Sequence, residues 1–353
     1  MRRLRVCQFN VLGDTFALAK YFPYARNFLP EEWEGAFLDS ESSQPICSFS
    51  SALHHATISV DVAGPHQIHA DSRPQTHTLA LSRTLRLSTL MSEILSINPD
   101  LFAFCEVDSD ELIARISETY DVRFWRRPGG RQDGCLLGWK KSAGWSEVSH
   151  RFLEYPKTQR IAVEVILCDS ESRVIRLIGT HLFWDGSSPL QIAEADVLVD
   201  FVNHGSAGGA ESFDPAIPTI LCGDLNTTRD STVFKKIASA LHEVRAQGSE
   251  RLLNTTRPTS IVPDLWIRNG NSWEKRLGRK QEIDFIFVSS GIRVLDVQVA
   301  DGNGRPALTG NQGVVLRHDG LPIRSAEAEP EIGIPNAEHG SDHFPVFADI
   351  ELG

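Results

Sequence analysis

The order of apolar runs along this chain predicts an α/β layered sandwich built on mixed sheets. Three observations carry that prediction. Strand-like runs outnumber helical ones, some neighbouring strands read as hairpins rather than βαβ units, and stretches of helical periodicity are few. A Rossmann-type alternation of helix and parallel strand does not fit this order.

The elements follow in sequence. Residues 4–12 (LRVCQFNVL) alternate apolar and polar side chains, the pattern of a strand. Residues 85–97 (LRLSTLMSEILSI) have helical spacing, with Leu87, Leu90, Met91, Ile94 and Leu95 expected on one face; Asn98-Pro99 ends the helix. LFAFCE (101–106) is a continuous apolar run, typical of a buried strand. Ser109 is placed to cap a short helix that carries Asp110 and Glu111 in its first turn. Further strands are expected at 134–139 (GCLLGW), 162–168 (AVEVILC), 174–181 (VIRLIGTH), 218–224 (PTILCGD), 283–288 (IDFIFV), 292–299 (IRVLDVQV) and 345–352 (PVFADIEL). Helices are expected at 190–203 and 231–241. Two irregular stretches, serine- and histidine-rich 40–78 and glycine- and proline-rich 301–340, read as insertions in a single domain covering 1–353. The histidines of the first stretch repeat no metal-ligand spacing, so it reads as a solvated loop.

Composition narrows the class. With 353 residues, 41% of them hydrophobic and 23% charged, the chain is long enough to bury a substantial core without staples. No run approaches the ~18 apolar residues of a membrane span. The six cysteines form no CxxC pair, and the N-terminus has no apolar signal segment, which together point to an intracellular protein, cytoplasmic or nuclear. A net charge of -11 argues against a general polyanion binder. It leaves room for a nucleic-acid enzyme, because bound divalent metal and local basic patches can reverse the field where substrate sits.

The polar residues of interest lie at the ends of apolar runs. Asn10 follows RVCQF, Glu106 follows LFAFC, His181 follows IRLIGT, and Asp224 and Asn226 follow TILCG. Asp284 opens FIFV, and Asp342-His343 precedes FPVFADI. Strand ends at one sheet edge converge, so these groups are expected around one pocket. Four carboxylates with two amides form a hard-oxygen set suited to Mg²⁺ or Mn²⁺ rather than Zn²⁺. Such a set, completed by two imidazoles, meets the needs of phosphodiester hydrolysis: a cation to neutralise phosphate, a carboxylate to activate water, and donors for developing charge.

The motifs FNVLGD, CEVD, DGCLLGWK, THLFWD, CGDLNTT, IDFIFV and GSDHFPVFADI stand in the order of the endonuclease/exonuclease/phosphatase superfamily. FNVLGD, DGCLLGWK and THLFWD resemble more closely its deadenylase-like branch, which holds the Ccr4-type deadenylases, nocturnin, Angel proteins and 2′-phosphodiesterase. The resemblance implies a four-layer sandwich of two mixed β-sheets packed face to face and flanked by helices. It also implies a Mg²⁺- or Mn²⁺-dependent phosphodiesterase acting on RNA or oligonucleotides, with 3′–5′ exonuclease action. The alternative is a phosphatase of an RNA end, such as a 2′,3′-cyclic phosphate, or of a small phosphorylated nucleotide or metabolite.

By the same resemblance Glu106 is the principal metal ligand, with Asn10 beside it and Asp342 as a further metal contact. Asp224 orients or deprotonates the attacking water, and Asn226 stabilises the pentacovalent transition state. His343 contacts the scissile phosphate and is oriented by Asp284. His181 hydrogen-bonds the phosphate or assists the leaving group. Asp133 lies near the substrate phosphate or serves as a turn residue, while Trp184 lines a nucleotide pocket or packs as a core aromatic.

The chain departs from the branch at the adenine clamp. Gly186 stands where a proline is usual, and EKRLGRKQEID carries Arg279 and Lys280 where an aromatic is usual. Basic clusters at 123–131 and 273–281, with Trp125 and Trp273 interleaved, are candidates for binding further phosphates and bases, with Arg279 as a substrate contact. No leucine-rich recruiting repeat occurs in the sequence.

Overall fold

In a computed structural model of the chain, the described residues are 1–17, 83–186, 188–204, 216–243, 260–262, 265–269, 272–276, 279–299 and 341–353. Both irregular stretches of the sequence lie outside them. One six-stranded sheet contains β1 (Arg2–Asn10), β2 (Leu101–Val107), β3 (Tyr120–Arg126), β4 (Gly134–Lys140), β15 (Ile292–Val299) and β16 (Val346–Leu352), in the order β15-β16-β1-β2-β4-β3. The second contains β5 (Trp145–Glu154), β6 (Ile161–Asp169), β7 (Val174–His181), β8 (Thr219–Asp224), β9 (His242–Glu243) and β14 (Asp284–Val288), in the order β5-β6-β7-β8-β14-β9. Each sheet has one parallel pair, β1 with β2 and β7 with β8, among antiparallel neighbours. Two small ladders join β10 (Ser260–Val262) to β13 (Arg279–Gln281) and β11 (Leu265–Asn269) to β12 (Ser272–Arg276). The α-helices among the described residues are α1 (Arg83–Ile97), α2 (Asp110–Ile116), α3 (Pro189–His204) and α4 (Thr232–Ala240).

Strand alternation builds the layers. On β2, Leu101 and Ala103 face Val163, Val165 and Leu177 of the opposite sheet, while Phe102 and Phe104 face Leu87, Leu90 and Ile94 of α1. On β14, Ile286 and Val288 enter the inter-sheet core, while Phe285 and Phe287 meet Leu198, Phe234 and Ile237 beneath α3 and α4. Three apolar layers between four structural layers result, and the four-layer sandwich is the observed fold.

The Ser109 cap forms as expected, and Ser231 caps α4 in the same way. Ser109 accepts from the Leu112 N–H at 3.2 Å, and Ser231 from the Phe234 N–H at 3.0 Å. Three expectations need correction. Leu95 is 53% exposed; the buried face of α1 instead continues to Ile97, one 3.6-residue turn beyond Ile94. Residues 123–126 of the first basic cluster lie on strand β3, and two of its arginines are engaged by carboxylates rather than free for phosphate. Of the cluster's arginines, Arg123 is tied to Glu147 at 2.6 Å and Arg127 to Asp133 at 2.8 Å. Trp125 packs against the inter-sheet core rather than standing free to stack a base.

Candidate active site at the joined sheet edges

Topology gathers the strand ends named above. β1 and β2 run parallel and finish together, bringing Asn10 beside Cys105 and Glu106. β7 and β8 do likewise in the other sheet, setting His181 opposite Asp224. β14 runs antiparallel to β8, so its first residue, Asp284, pairs with the last residue of β8, Asp224. β16 runs antiparallel to β1, so the 341–343 segment that enters it returns to the same edge; the Ser341 hydroxyl donates to the Asn10 carbonyl. C-terminal ends of parallel strands and N-terminal starts of antiparallel ones therefore share one rim.

Hydrogen bonds cross between the sheets at this rim. Asn10 Nδ2 donates to Asp224 Oδ2 at 3.0 Å, and Gln8 Nε2 to Asp284 at 3.2 Å. Asp224 also accepts from the Asn226 backbone N–H at 2.8 Å. His343 Nδ1 lies 2.7 Å from Asp284 Oδ2. Burial of that pair leaves the carboxylate as acceptor, so Nδ1 carries the hydrogen. Nε2 then faces Asp224 at 3.8 Å and Asp342 at 3.9 Å. His181 Nε2 stands 2.9 Å from the Asn226 amide nitrogen, 3.5 Å from Asp224 and 3.9 Å from Glu106. Glu106 and Asn226 are both left-handed, at φ 57° and 48°, in a region that non-glycine residues seldom occupy. Backbone strain of this kind, about 1 kcal/mol or more per residue, persists where the surroundings over-determine the conformation.

The charges are mutually dependent. Burial pushes the Glu106 carboxyl up, and neighbouring Asp342 adds to this, bringing it to about 7. Asp224 is raised to about 6 by burial and by Asp284. Burial alone would lower His343, but Asp284, Asp342 and Asp224 outweigh it and raise the imidazole to about 10. His181 is held well below its ordinary value by burial and then by Arg160 and Arg127. One imidazole is thus charged at neutral pH and the other is not.

The donor set fits a divalent cation. Among the described residues the Glu106 carboxylate accepts no hydrogen bond, although its side chain is only 16% exposed and other carboxylates crowd it. A hard cation would satisfy such an orphaned acid. Asp224, Asp284 and His343 also present ligand atoms within 4.8 Å of one another. Asp284 is already engaged by His343 and Gln8, which favours the Glu106 side of the pocket.

The remaining candidates divide. Asp133 is buried at the same rim, just before β4, but is paired to Arg127 rather than open to substrate. Trp184 is 68% exposed and lies three residues after His181, so it is not a core aromatic. Gly186 backs onto the Asn226 carbonyl, which would lie 3.2 Å from an added Cβ. Arg279 sits on β13, whose partner Ser260 also bridges to His343; its side chain, like that of Trp273, is outside the described set. Arg160, which the strand-end reading missed, donates to His181 Nδ1 at 2.7 Å. It immediately precedes β6, whose Ala162 pairs with Thr180 of β7. A polar residue at the start of an antiparallel neighbour was the available signal.

Comparison with known proteins agrees with this architecture. The model of the Endonuclease/Exonuclease/phosphatase family matches residues 7–343. Carbon catabolite repressor protein 4 homolog 3 of Arabidopsis thaliana is 23% identical over 308 residues, 75% of this chain and 67% of that protein. A probable CCR4-Not complex 3′-5′-exoribonuclease subunit Ccr4 of Encephalitozoon cuniculi is 22% identical over 84% of this chain and 63% of its own length. The chain thus spans about two thirds of the length of these relatives. Among solved structures, the human Nocturnin catalytic domain superposes with a TM-score of 0.56 at 16% identity, covering 99% of this chain and 95% of that one. ANGEL2, a 2′,3′-cyclic phosphatase in complex with adenosine-2′,3′-vanadate, gives 0.56 at 15% identity over 99% and 96%. On the extent of the family match and the relatives it shares, the chain belongs to the endonuclease/exonuclease/phosphatase family and sides with its deadenylase-like branch.

Proposed function

We propose that the chain is a divalent-metal-dependent phosphodiesterase acting on RNA or oligonucleotides, with 3′–5′ exonuclease action. The observation that carries this reading is the convergence of Glu106, Asp224, Asn226, Asp284, His343 and His181 on one rim, two of them in left-handed backbone. Mg²⁺ or Mn²⁺ held by Glu106 with Asn10 and Asp342 would neutralise phosphate charge. Asp224 takes the proton of the attacking water, since its carboxylate is braced by Asn10 and the Asn226 N–H. Charged His343, held by Asp284, donates from Nε2 to a phosphoryl oxygen, and the Asn226 amide supports the same developing charge. His181, neutral, stands on the leaving-group side with Nε2 beside the Asn226 amide. Trp184 stacks a base at the mouth.

A second reading, hydrolysis of a terminal or 2′,3′-cyclic phosphate, is favoured by Gly186 at the clamp position, which offers no ring or bulk to grip an adenine. An end-group panel separates the two. RNA oligomers with a 3′-hydroxyl, 3′-phosphate or 2′,3′-cyclic phosphate, in poly(A) and mixed sequence, are incubated with Mg²⁺. Laddered shortening from the hydroxyl end supports the exonuclease; release or opening of the terminal phosphate at constant length supports the end-processing enzyme. EDTA should abolish either activity and Mg²⁺ or Mn²⁺ restore it; hydrolysis that resists chelation overturns the metal-dependent mechanism.

A further inference from the structure

Four arginines are buried among the described residues: Arg86, Arg127, Arg160 and Arg176. Three are paired to carboxylates: Arg86 to Asp14, Arg127 to Asp133 and Arg176 to Glu164. Arg160 is not. It is 8% exposed, and its one protein partner is Nδ1 of His181, a neutral acceptor. Its remaining N–H groups have no protein acceptor, yet none is sealed from solvent. The Glu106 and Glu194 carboxylates feel its charge without forming an ion pair with it, so a bound anion would be its first direct ionic partner.

The surroundings fix the backbone that carries the guanidinium. Arg160 ends the turn between β5 and β6, in which Lys157 and Gln159 are left-handed at φ 77° and 57°. Its carbonyl accepts from the Tyr155 N–H at 2.9 Å, and Arg127 donates from Nε to the Gln159 carbonyl at 3.0 Å. Arg127 is itself neutralised by Asp133, so it props the turn without competing for the anion. The backbone is thus preorganised, and the bond to His181 Nδ1 orients the guanidinium on it.

We propose that Arg160 is a substrate-binding residue that pairs with a phosphoryl oxygen lying beside His181. The proposal deepens the phosphate-ester reading above and rests on it. A guanidinium has donors to spare: one N–H goes to His181 Nδ1, and the others take the anion. Phosphate binding and the orientation of the neutral imidazole are thereby joined in one side chain.

The test uses Arg160→Met and Arg160→Lys in the full chain, with inorganic phosphate and orthovanadate as probes, read by calorimetry in the presence of Mg²⁺. Loss of a charge-assisted contact predicts about ten- to a hundredfold weaker anion binding in Arg160→Met, with partial recovery in Arg160→Lys. Phosphate should raise the melting temperature of the parent protein and raise that of Arg160→Met less; a purely structural arginine would leave the phosphate-induced shift the same in both. Unchanged phosphate affinity in Arg160→Met, or an equal phosphate-induced shift in the two proteins, overturns the proposal. Because anion binding is read without turnover, a protein that binds phosphate through Arg160 yet hydrolyses no RNA would refute the nuclease reading alone.

Discussion

Asp224 is braced from several sides, with Asn10 and the Asn226 N–H on its oxygens and His181 and His343 within 4 Å. Replacing it removes the base without emptying the core. Asp224→Ala and His343→Ala are each expected to lower turnover by about a thousandfold or more while circular dichroism stays unchanged; near-parental turnover in either would remove that residue from the chemistry. Glu106 behaves differently because it accepts no hydrogen bond to lose. Glu106→Gln should weaken Mg²⁺ or Mn²⁺ binding at least about tenfold by titration, yet leave the metal-free protein as stable or more so at pH 8, since a crowded charge is gone. These positions were legible because each carboxylate or imidazole ends an apolar run. Arg160 was not, because an arginine before a strand is ordinary until its partner, or lack of one, is known.

The strands with one apolar face and many charges were the hardest to read. On β5 exposure alternates along the whole strand, and β3 carries Arg123 and Arg126 on exposed positions, so both look like loops to a search for continuous apolar runs. The central strands β2, β8 and β14, buried on both faces, were plain. Packing detail within a strand was also hidden: Gly138 of β4 lies under the Phe102 ring, whose nearest carbon would be 2.0 Å from an added Cβ. Phe102 cannot yield easily, being stacked on Phe104 at 4.2 Å and edge-on to Tyr120 at 5.2 Å. Gly138→Ala should therefore cost about 1–3 kcal/mol in chemical denaturation, as overpacking does. Ser109→Ala should cost about 1 kcal/mol through loss of the α2 cap.

Protonation of the rim bears on the stability of the entire domain. Glu106, Asp224 and His343 all have raised values in the folded protein, about 7, 6 and 10, so the fold retains their protons longer than the unfolded chain does. Each contribution is fully present below the ordinary value of its group and is lost as pH climbs through the folded value. The metal-free protein should accordingly lose melting temperature between pH 5 and pH 8, by about 2–5 °C. Divalent cation competes for the same carboxylates, so its stabilising shift should be larger at pH 8 than at pH 5. Scanning calorimetry at both values, with EDTA or Mg²⁺, checks this; a shift that is larger at pH 5 would contradict the placement of the cation on the raised carboxylates. No helix among the described residues is long and apolar enough to cross a membrane.

Alternation and run length are local properties, and they were enough to name the central strands, the capped helices, the layered class and most of the rim, because burial on one or both faces imposes a period on the chain. Charge state and partnership are not local. That His343 is held cationic by Asp284 while His181 is held neutral beside Arg160 depends on distances between strands of different sheets, as does the pairing of Asp133 with Arg127. Two histidines at strand ends look alike as letters. They acquire different charge states because one buried imidazole meets acceptors and the other meets an arginine, and that assignment exists only once the two sheet edges are joined.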